Sequence, residues 1–341
     1  MDYITETLLF PYRKGLIEGP IPESRLLFLN AENPTILKEF FAPVLVQHRY
    51  DKAKPLIEAG FKVTSDSPDG KFNTVWVLPG KDMTEAQYLL AQAVRSAAEG
   101  GTILAAAPND AGGKRLEGLF EELGLSPHAE SKHKARVVFA SVDSGWNRAL
   151  AESWFAQGQE QHILNSDILS RPGLHGWNKV DTGSALLARH LPPDLNGSIA
   201  DFGCGWGYLS LQALAVSKNI KRLTLVDIDA RAVDIARRNV RSQHPDLPVD
   251  TLWTDLTHPD VKPGPFDAIL LNPPFHDGTH ALPAIGQAII TTAARSLKPD
   301  GRLYLVANRH LPYEKTLGAL FGRVDVLGDE DGFKAFVCVK R

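Results

Sequence analysis

Ser198-Ile199-Ala200-Asp201-Phe202-Gly203-Cys204-Gly205-Trp206-Gly207 is a short apolar run that ends near an acid and then breaks on three alternate glycines. Tyr208 to Ser217 reads as a helix opening directly from those glycines. Glycine lets a chain turn sharply and lets a ligand lie against the backbone. The free N–H groups at the start of the next helix favour a negatively charged group. The spacing Gly-x-Gly-x-Gly is tighter than the dinucleotide pattern, and an acid precedes it by two residues. No lysine-tipped triphosphate loop follows.

Outward from this loop, strands and helices alternate. Leu223–Val226 reads as a second strand, stopped at Asp227, and Ala230–Arg241 as a helix with Ala232, Val233, Ala236 and Val240 on one face. Phe266–Leu271 and Arg302–Ala307 are further strands, Pro283–Leu297 is helical, and Ala335–Val339 is the last strand. Such alternation implies crossover units and a mostly parallel sheet. The strands are continuous apolar runs, as expected when both faces are covered. An acid at the end of the second strand can accept two hydrogen bonds from a ribose diol, which points to Asp227. Asp255 stands where a third strand would end; it can accept from an adenine amino group, with Leu256 beneath the ring. Asp229 reads as a cap for the helix at Ala230.

Asn272-Pro273-Pro274-Phe275 directly follows a strand. Two prolines stiffen the backbone and remove two donors, which leaves the Pro273 carbonyl as a rigid acceptor. The Asn272 side-chain oxygen is a second acceptor. Together they can take both hydrogens of a planar amino group and aim its lone pair at an electrophilic methyl. Phe275 can stack on the ring that carries the amine. This is the most specific signal in the chain.

The N-terminal half repeats the pattern faintly. Leu26–Leu29, Val75–Leu78, Ile103–Ala106 and Val137–Phe139 are strand-like, and Glu85–Ala98 and Leu116–Leu123 are helix-like. Gly101-Thr-Ile-Leu-Ala-Ala-Ala resembles Gly301-Arg-Leu-Tyr-Leu-Val-Ala at an offset of 200, and Val75-Trp-Val-Leu-Pro79 resembles Ile269-Leu-Leu-Asn-Pro273 at 194. Order and spacing together indicate an internal duplication. The first copy has no glycine triplet after its first strand, only Asn30-Ala31-Glu32-Asn33-Pro34, and it carries Leu78 where the second carries Asn272. It is therefore expected to bind no cofactor. The aromatic-rich segment 141–180 reads as an extension of the second domain that includes a hairpin lying against the site.

The 341 residues carry 37 Lys and Arg against 40 Asp and Glu, a formal net charge of −3, so no global positive field can grip nucleic acid. Lys132, Lys134 and Arg136 form a local basic cluster that reads first as a solvated edge. Two cysteines exclude a disulfide scaffold and a cysteine zinc cluster, and no metal site is expected. No apolar run approaches the ~20 residues that span a bilayer. The N-terminus lacks the features of a signal peptide. A cytoplasmic monomer that does not touch membranes is expected.

These residues resemble the class I S-adenosylmethionine-dependent methyltransferases over about residues 165 to 341. The resemblance implies that Asp201, Gly203 and Gly205 hold the methionine part of S-adenosylmethionine, Asp227 with Ile228 the ribose, and Asp255 with Leu256 the adenine. Asn272 borders the cofactor as well as the amine. Cys204 and Trp206 fall at variable positions of the pattern. His276-Asp277-Gly278, Val306-Ala307-Asn308 and Leu311-Pro312-Tyr313 go further, as do Pro172-Gly173-Leu174 and Asp181-Thr-Gly-Ser-Ala-Leu-Leu187. They are similar to the bacterial ribosomal RNA guanine-N2 methyltransferases of the small-subunit type. That family implies an α/β fold of two Rossmann-like methyltransferase domains in tandem, each a mostly parallel sheet flanked by helices, the last strand antiparallel. Residues 1–145 would form the degenerate domain and 146–341 the catalytic one, with 146–180 as its extension. It also implies methylation of a guanine N2 in 16S ribosomal RNA within the small subunit, with Asn272, Pro273 and Phe275 catalytic, and Phe275, His276 and Tyr313 touching the substrate. A 23S guanine, an adenine N6 or a protein glutamine remains a competing target, and a non-catalytic ribosome-assembly factor a competing class.

Overall fold

A computed structural model describes residues 3–21, 24–38, 40, 42–65, 69–274, 276–277, 280–281 and 283–341. It divides into two compact units, Met1–Glu160 and Gln161–Arg341.

The first unit is built on β1 (Leu26–Leu29), β2 (Val44–Val46), β3 (Val63–Thr64), β4 (Phe72–Val77), β5 (Ala97–Pro108), β6 (His128–Lys132) and β7 (Ala135–Ser141), in the sheet order β3-β2-β1-β4-β5-β7-β6. The second begins with a small antiparallel hairpin of β8 (Gln161–Ile163) and β9 (Ile168–Ser170). Its main sheet holds β10 (Asn196–Phe202), β11 (Asn219–Asp227), β12 (Val249–Trp253) and β13 (Phe266–Leu271). After the two-residue strands β14 (His276–Asp277) and β15 (His280–Ala281) come β16 (Leu297–Asn308), β17 (Arg323–Glu330) and β18 (Phe333–Val339). The sheet order is β12-β11-β10-β13-β16-β18-β17, the same permutation as in the first unit.

The duplication extends to register. Phe72 pairs with Ala97 and Phe266 with Leu297, and each pairing shifts register immediately afterwards. β5 and β16 are each twelve residues long and begin 200 residues apart. In both sheets the strands run parallel up to β5 or β16, and the last two pair antiparallel.

In the second unit, alternate strand residues feed two cores. Ile199, Leu223, Leu225 and Leu270 enter one, with the helices Thr182–Arg189 and Ala230–Gln243. Ala200, Phe202, Val226, Ile269 and Leu271 enter the other, with the helix Pro283–Ser296. That is why these strands read as unbroken apolar runs.

The unit boundary falls after Glu160 rather than at 145. Helix Arg148–Gln157 carries Trp154 and Phe155, two of the four aromatics between the two main sheets, and it packs on the first unit. Ala151 and Trp154 are buried in that core, and Phe155 stacks on Tyr88 with ring centroids 5.2 Å apart. Of the segment 141–180, only the β8–β9 hairpin and the residues after it belong to the second unit. The basic cluster lies on the β6–β7 hairpin: Arg136 pairs with Glu117 at 3.1 Å, and the Lys132 ammonium lies 5.0 Å from the Phe10 ring centroid.

Candidate active site

The C-terminal ends of β10, β11 and β13 converge in the second unit. After β10, Gly203, Gly205 and Gly207 all take the left-handed backbone, with φ of 72°, 52° and 92°. Side chains rarely adopt that region, which explains the three alternate glycines. A Cβ on Gly205 would meet nothing within 4 Å, so the loop presents open backbone there. The Gly203 and Cys204 N–H groups donate to the Val226 carbonyl at 2.8 and 3.1 Å, which lashes the loop to β11.

Asp201 is buried, and its carboxylate is turned to the next helix. Oδ2 accepts from the Ser210 N–H at 3.1 Å and from Ser210 Oγ at 2.6 Å. It anchors the helix Tyr208–Val216 under the loop. Burial pushes its carboxyl up to about 6 against those hydrogen bonds, and the charge of Asp227 adds to the rise.

Asp227 accepts from the Gly205 N–H through Oδ2 at 2.9 Å and from the Asp229 N–H through Oδ1 at 3.0 Å. Burial raises it too, to about 6. Asp229 is the expected cap: it accepts from the Arg231 N–H at 2.9 Å and pairs with the Arg231 guanidinium at 2.7 Å. The Ile228 carbonyl accepts from the Trp253 indole N–H at 2.8 Å. Asp255 Oδ1 is spent on Thr257, whose N–H and hydroxyl lie at 2.8 and 2.6 Å. Leu256 is buried, and its carbonyl accepts from Thr292.

Cys204 is buried and its thiol is pushed well above the usual range by burial, so it packs and does not react. Trp206 is also buried, and its indole N–H donates to the Gly176 carbonyl at 3.1 Å. It ties the lead-in segment to the loop. Asn239 completes the tie. Its Nδ2 donates to the carbonyls of Leu169 in β9 and of Trp206, and its Oδ1 accepts from the Leu169 N–H, each at 2.8 Å. The hairpin thus lies against the site, as the sequence suggested.

Asn272 follows β13, and Pro273 beside it is buried. Asn272 Nδ2 donates to Asp181 Oδ2 and to Ser184 Oγ, both at 2.8 Å. A carboxylate only accepts, so the amide nitrogen must face it and the oxygen must face away. Asp181 is itself the N-cap of helix Thr182–Arg189 and accepts from the Ser184 N–H at 2.8 Å. His175 stands 3.7 Å from Asp181 Oδ1. Burial works to raise the Asp181 carboxyl, but His175, the Ser184 N–H and Asn272 outweigh it and hold it near 2. Asp181 in turn raises the His175 imidazole. The sequence marks the Asp181 segment only as a lead-in to the loop, and a separation of 91 residues hides its contact with Asn272. Asp181, Asp201 and Asp227 together make the site acidic, which favours a cationic ligand.

Phe275 lies outside the described residues. His276 pairs with Ala281 through β14 and β15, while its side chain lies outside the described set. Tyr313 opens the helix that follows β16. Its ring is buried in the core against Gly286, where a Cβ would overlap the phenol oxygen, and that oxygen has no partner among the described residues. It begins helix Tyr313–Leu320 from the inside, because an aromatic residue fills the space a glycine leaves. Among the described residues no group of three His, Cys, Asp or Glu side chains could hold a metal, and no helix is long and apolar enough to cross a membrane.

The methyltransferase small domain matches residues 165–337. The ribosomal RNA small subunit methyltransferases C of Salmonella choleraesuis (strain SC-B67) and Salmonella typhi are each 32% identical over 256 residues, 75% of this chain and 72% of theirs. The T. thermophilus 16S rRNA N2 methyltransferase, solved in complex with AdoMet and guanosine, superposes with a TM-score of 0.77 over 99% of this chain and 92% of its own. At 22% identity that likeness establishes the tandem fold. By the domain match and the relatives' extent, the chain belongs to the methyltransferase small-domain family, among the ribosomal RNA small subunit methyltransferases C.

Proposed function

We propose that this chain transfers a methyl group from S-adenosylmethionine to the exocyclic N2 of a guanine in 16S ribosomal RNA. One observation carries the reading: the Asn272 amide is locked by Asp181 and Ser184 with its oxygen turned away, one residue from a buried proline and beside the glycine loop. S-adenosylmethionine supplies an electrophilic methyl on a cationic sulfur. The residues at hand fit that group. Gly205 offers open backbone, Asp227 keeps further lone pairs for ribose hydroxyls, and the acidic surround suits a sulfonium.

The Asn272 oxygen and the Pro273 carbonyl accept the two hydrogens of the guanine amine. That draws its lone pair out of the ring plane, where it can attack. Fixing both partners in line removes up to roughly 7–11 kcal/mol of barrier. No positioned base is needed, because the nitrogen becomes strongly acidic once it is cationic. Phe275 and His276 are proposed to hold the base. A paired guanine must first be flipped out, at a cost of a few kcal/mol.

The first unit is proposed to bind no cofactor. Asn30 follows β1 as Gly203 follows β10, and its Nδ2 donates at 3.1 Å to the carbonyl of Leu78, the residue that stands where Asn272 does. Gln47 follows Val46 as Asp227 follows Val226; it is buried and donates to the Ala31 carbonyl at 2.9 Å. Side chains occupy the places where the second unit has open backbone and a carboxylate. The chain is proposed to act as a cytoplasmic monomer on the assembled small subunit, since a net charge of −3 gives little hold on bare RNA. The test is incubation of purified small subunits with labelled S-adenosylmethionine and identification of the modified nucleoside.

A further inference from the structure

We infer that Asp181 is a positioning residue for methyl transfer: it fixes the Asn272 amide with its oxygen toward the acceptor amine, and its negative charge strengthens that oxygen as an acceptor. The inference rests on the proposed role of Asn272. Three features of the second unit support it. First, the amide nitrogen of Asn272 has two hydrogens, and Asp181 Oδ2 and Ser184 Oγ take one each at 2.8 Å. The amide therefore has no freedom to turn over; the flipped form would set its oxygen against a carboxylate. Second, Asp181 is not placed there by chance packing. It caps the helix Thr182–Arg189 through the Ser184 N–H, so the helix that presents Ser184 also aims the carboxylate. There is little slack in this segment, since a Cβ on Gly183 would lie 2.9 Å from the Phe333 ring. Third, the carboxylate lies behind the amide on the side away from its oxygen. Charge there polarises the amide and adds negative potential where the amine nitrogen becomes positive as it is methylated. Fixed charge aimed at developing charge is the commonest large term in catalysis.

A cap alone would also place an acid here, and the experiment must separate the two roles. Asp181→Asn keeps a cap oxygen, because Asn and Asp cap helices about equally well. That same oxygen can still accept from Asn272, so the variant removes the charge and, with it, the pairing to His175. We expect kcat to fall about tenfold to a hundredfold, with KM for S-adenosylmethionine and for small subunits within about twofold of wild type. The melting temperature should fall by a few degrees at most, as expected when a carboxylate that its partners hold near 2 loses its charge. Ser184→Ala, which loses one acceptor but no cap, should lower kcat by a few-fold. Asn272→Ala is measured beside them and should lose turnover. An inactive Asn272→Ala with a fully active Asp181→Asn overturns the inference and leaves the role of Asn272 standing. Loss of kcat accompanied by a raised KM for either substrate, or by a melting temperature lowered by more than those few degrees, also overturns it, because that is the signature of a cap. A fully active Asn272→Ala removes the reading of Asn272 itself.

Discussion

The Gly205 N–H donates to the Asp227 carboxylate at 2.9 Å, so the glycine loop and the acid at the end of β11 form one rigid element. Asp227→Ala removes the acid that would meet a ribose diol and loosens the loop with it. Isothermal titration should show the Kd for S-adenosylmethionine rising about tenfold to a hundredfold, as for loss of a charge-assisted hydrogen bond. Turnover at saturating cofactor should suffer less. Unchanged affinity would contradict the ribose role.

Asp201 and Asp227 are raised to about 6 from an ordinary 3.8, chiefly by burial. For Asp201 the sign follows directly. Between about pH 4 and 6 the folded chain keeps a proton that the unfolded chain has released, so stability falls as pH rises through that window. Asp201→Asn does not titrate. Without cofactor, its stability should gain on wild type from pH 4 to pH 7, by at most roughly 3 kcal/mol, as read from melting curves. A difference that stays constant with pH would show that the carboxyl is not raised.

Asn239 makes three hydrogen bonds between β9, the helix Ala230–Gln243 and the glycine loop. Asn239→Ala strands three backbone groups at about 1–3 kcal/mol for each that stays buried and unpaired. The melting temperature should fall by several degrees, and cofactor affinity should weaken because Trp206 is one of the partners. An unaltered melting curve would mean that the hairpin is not fastened through this residue.

The side chains of Asn30 and Gln47 fill the first unit where the second is open. Titration of the whole chain with S-adenosylmethionine should give one site per chain. Two sites would refute the assignment of the first unit.

The chain announces its sheet plainly wherever chemistry and periodicity coincide. The boundaries of β1 and β13 read from the sequence match the structure, because apolar runs buried on both faces stop sharply at turn residues. The internal duplication is legible as well, whereas the antiparallel last strand comes from the resemblance to the tandem methyltransferases. The short β2, β3 and β17 are not, since they are brief or carry charges along an edge. Helix Tyr50–Glu58 is hidden by Pro55 inside it. The domain boundary differs because aromatic content near the junction suggests a cover for the second unit, whereas Trp154 and Phe155 seal the first. At the site, the glycine loop and Asn272 are legible because their residue types are tied to backbone geometry and acceptor chemistry. What Asp201 and Asp181 touch is not, because hydrogen bonding across 9 and 91 residues leaves no periodic trace.

The most direct test is to label small subunits with the purified chain and methyl-labelled S-adenosylmethionine, digest the RNA and identify the labelled nucleoside by mass spectrometry. The account predicts label in N2-methylguanosine of 16S RNA, and none with Asn272→Ala. Label in a methylated adenosine or in protein, or no transfer to small subunits at all, would contradict it.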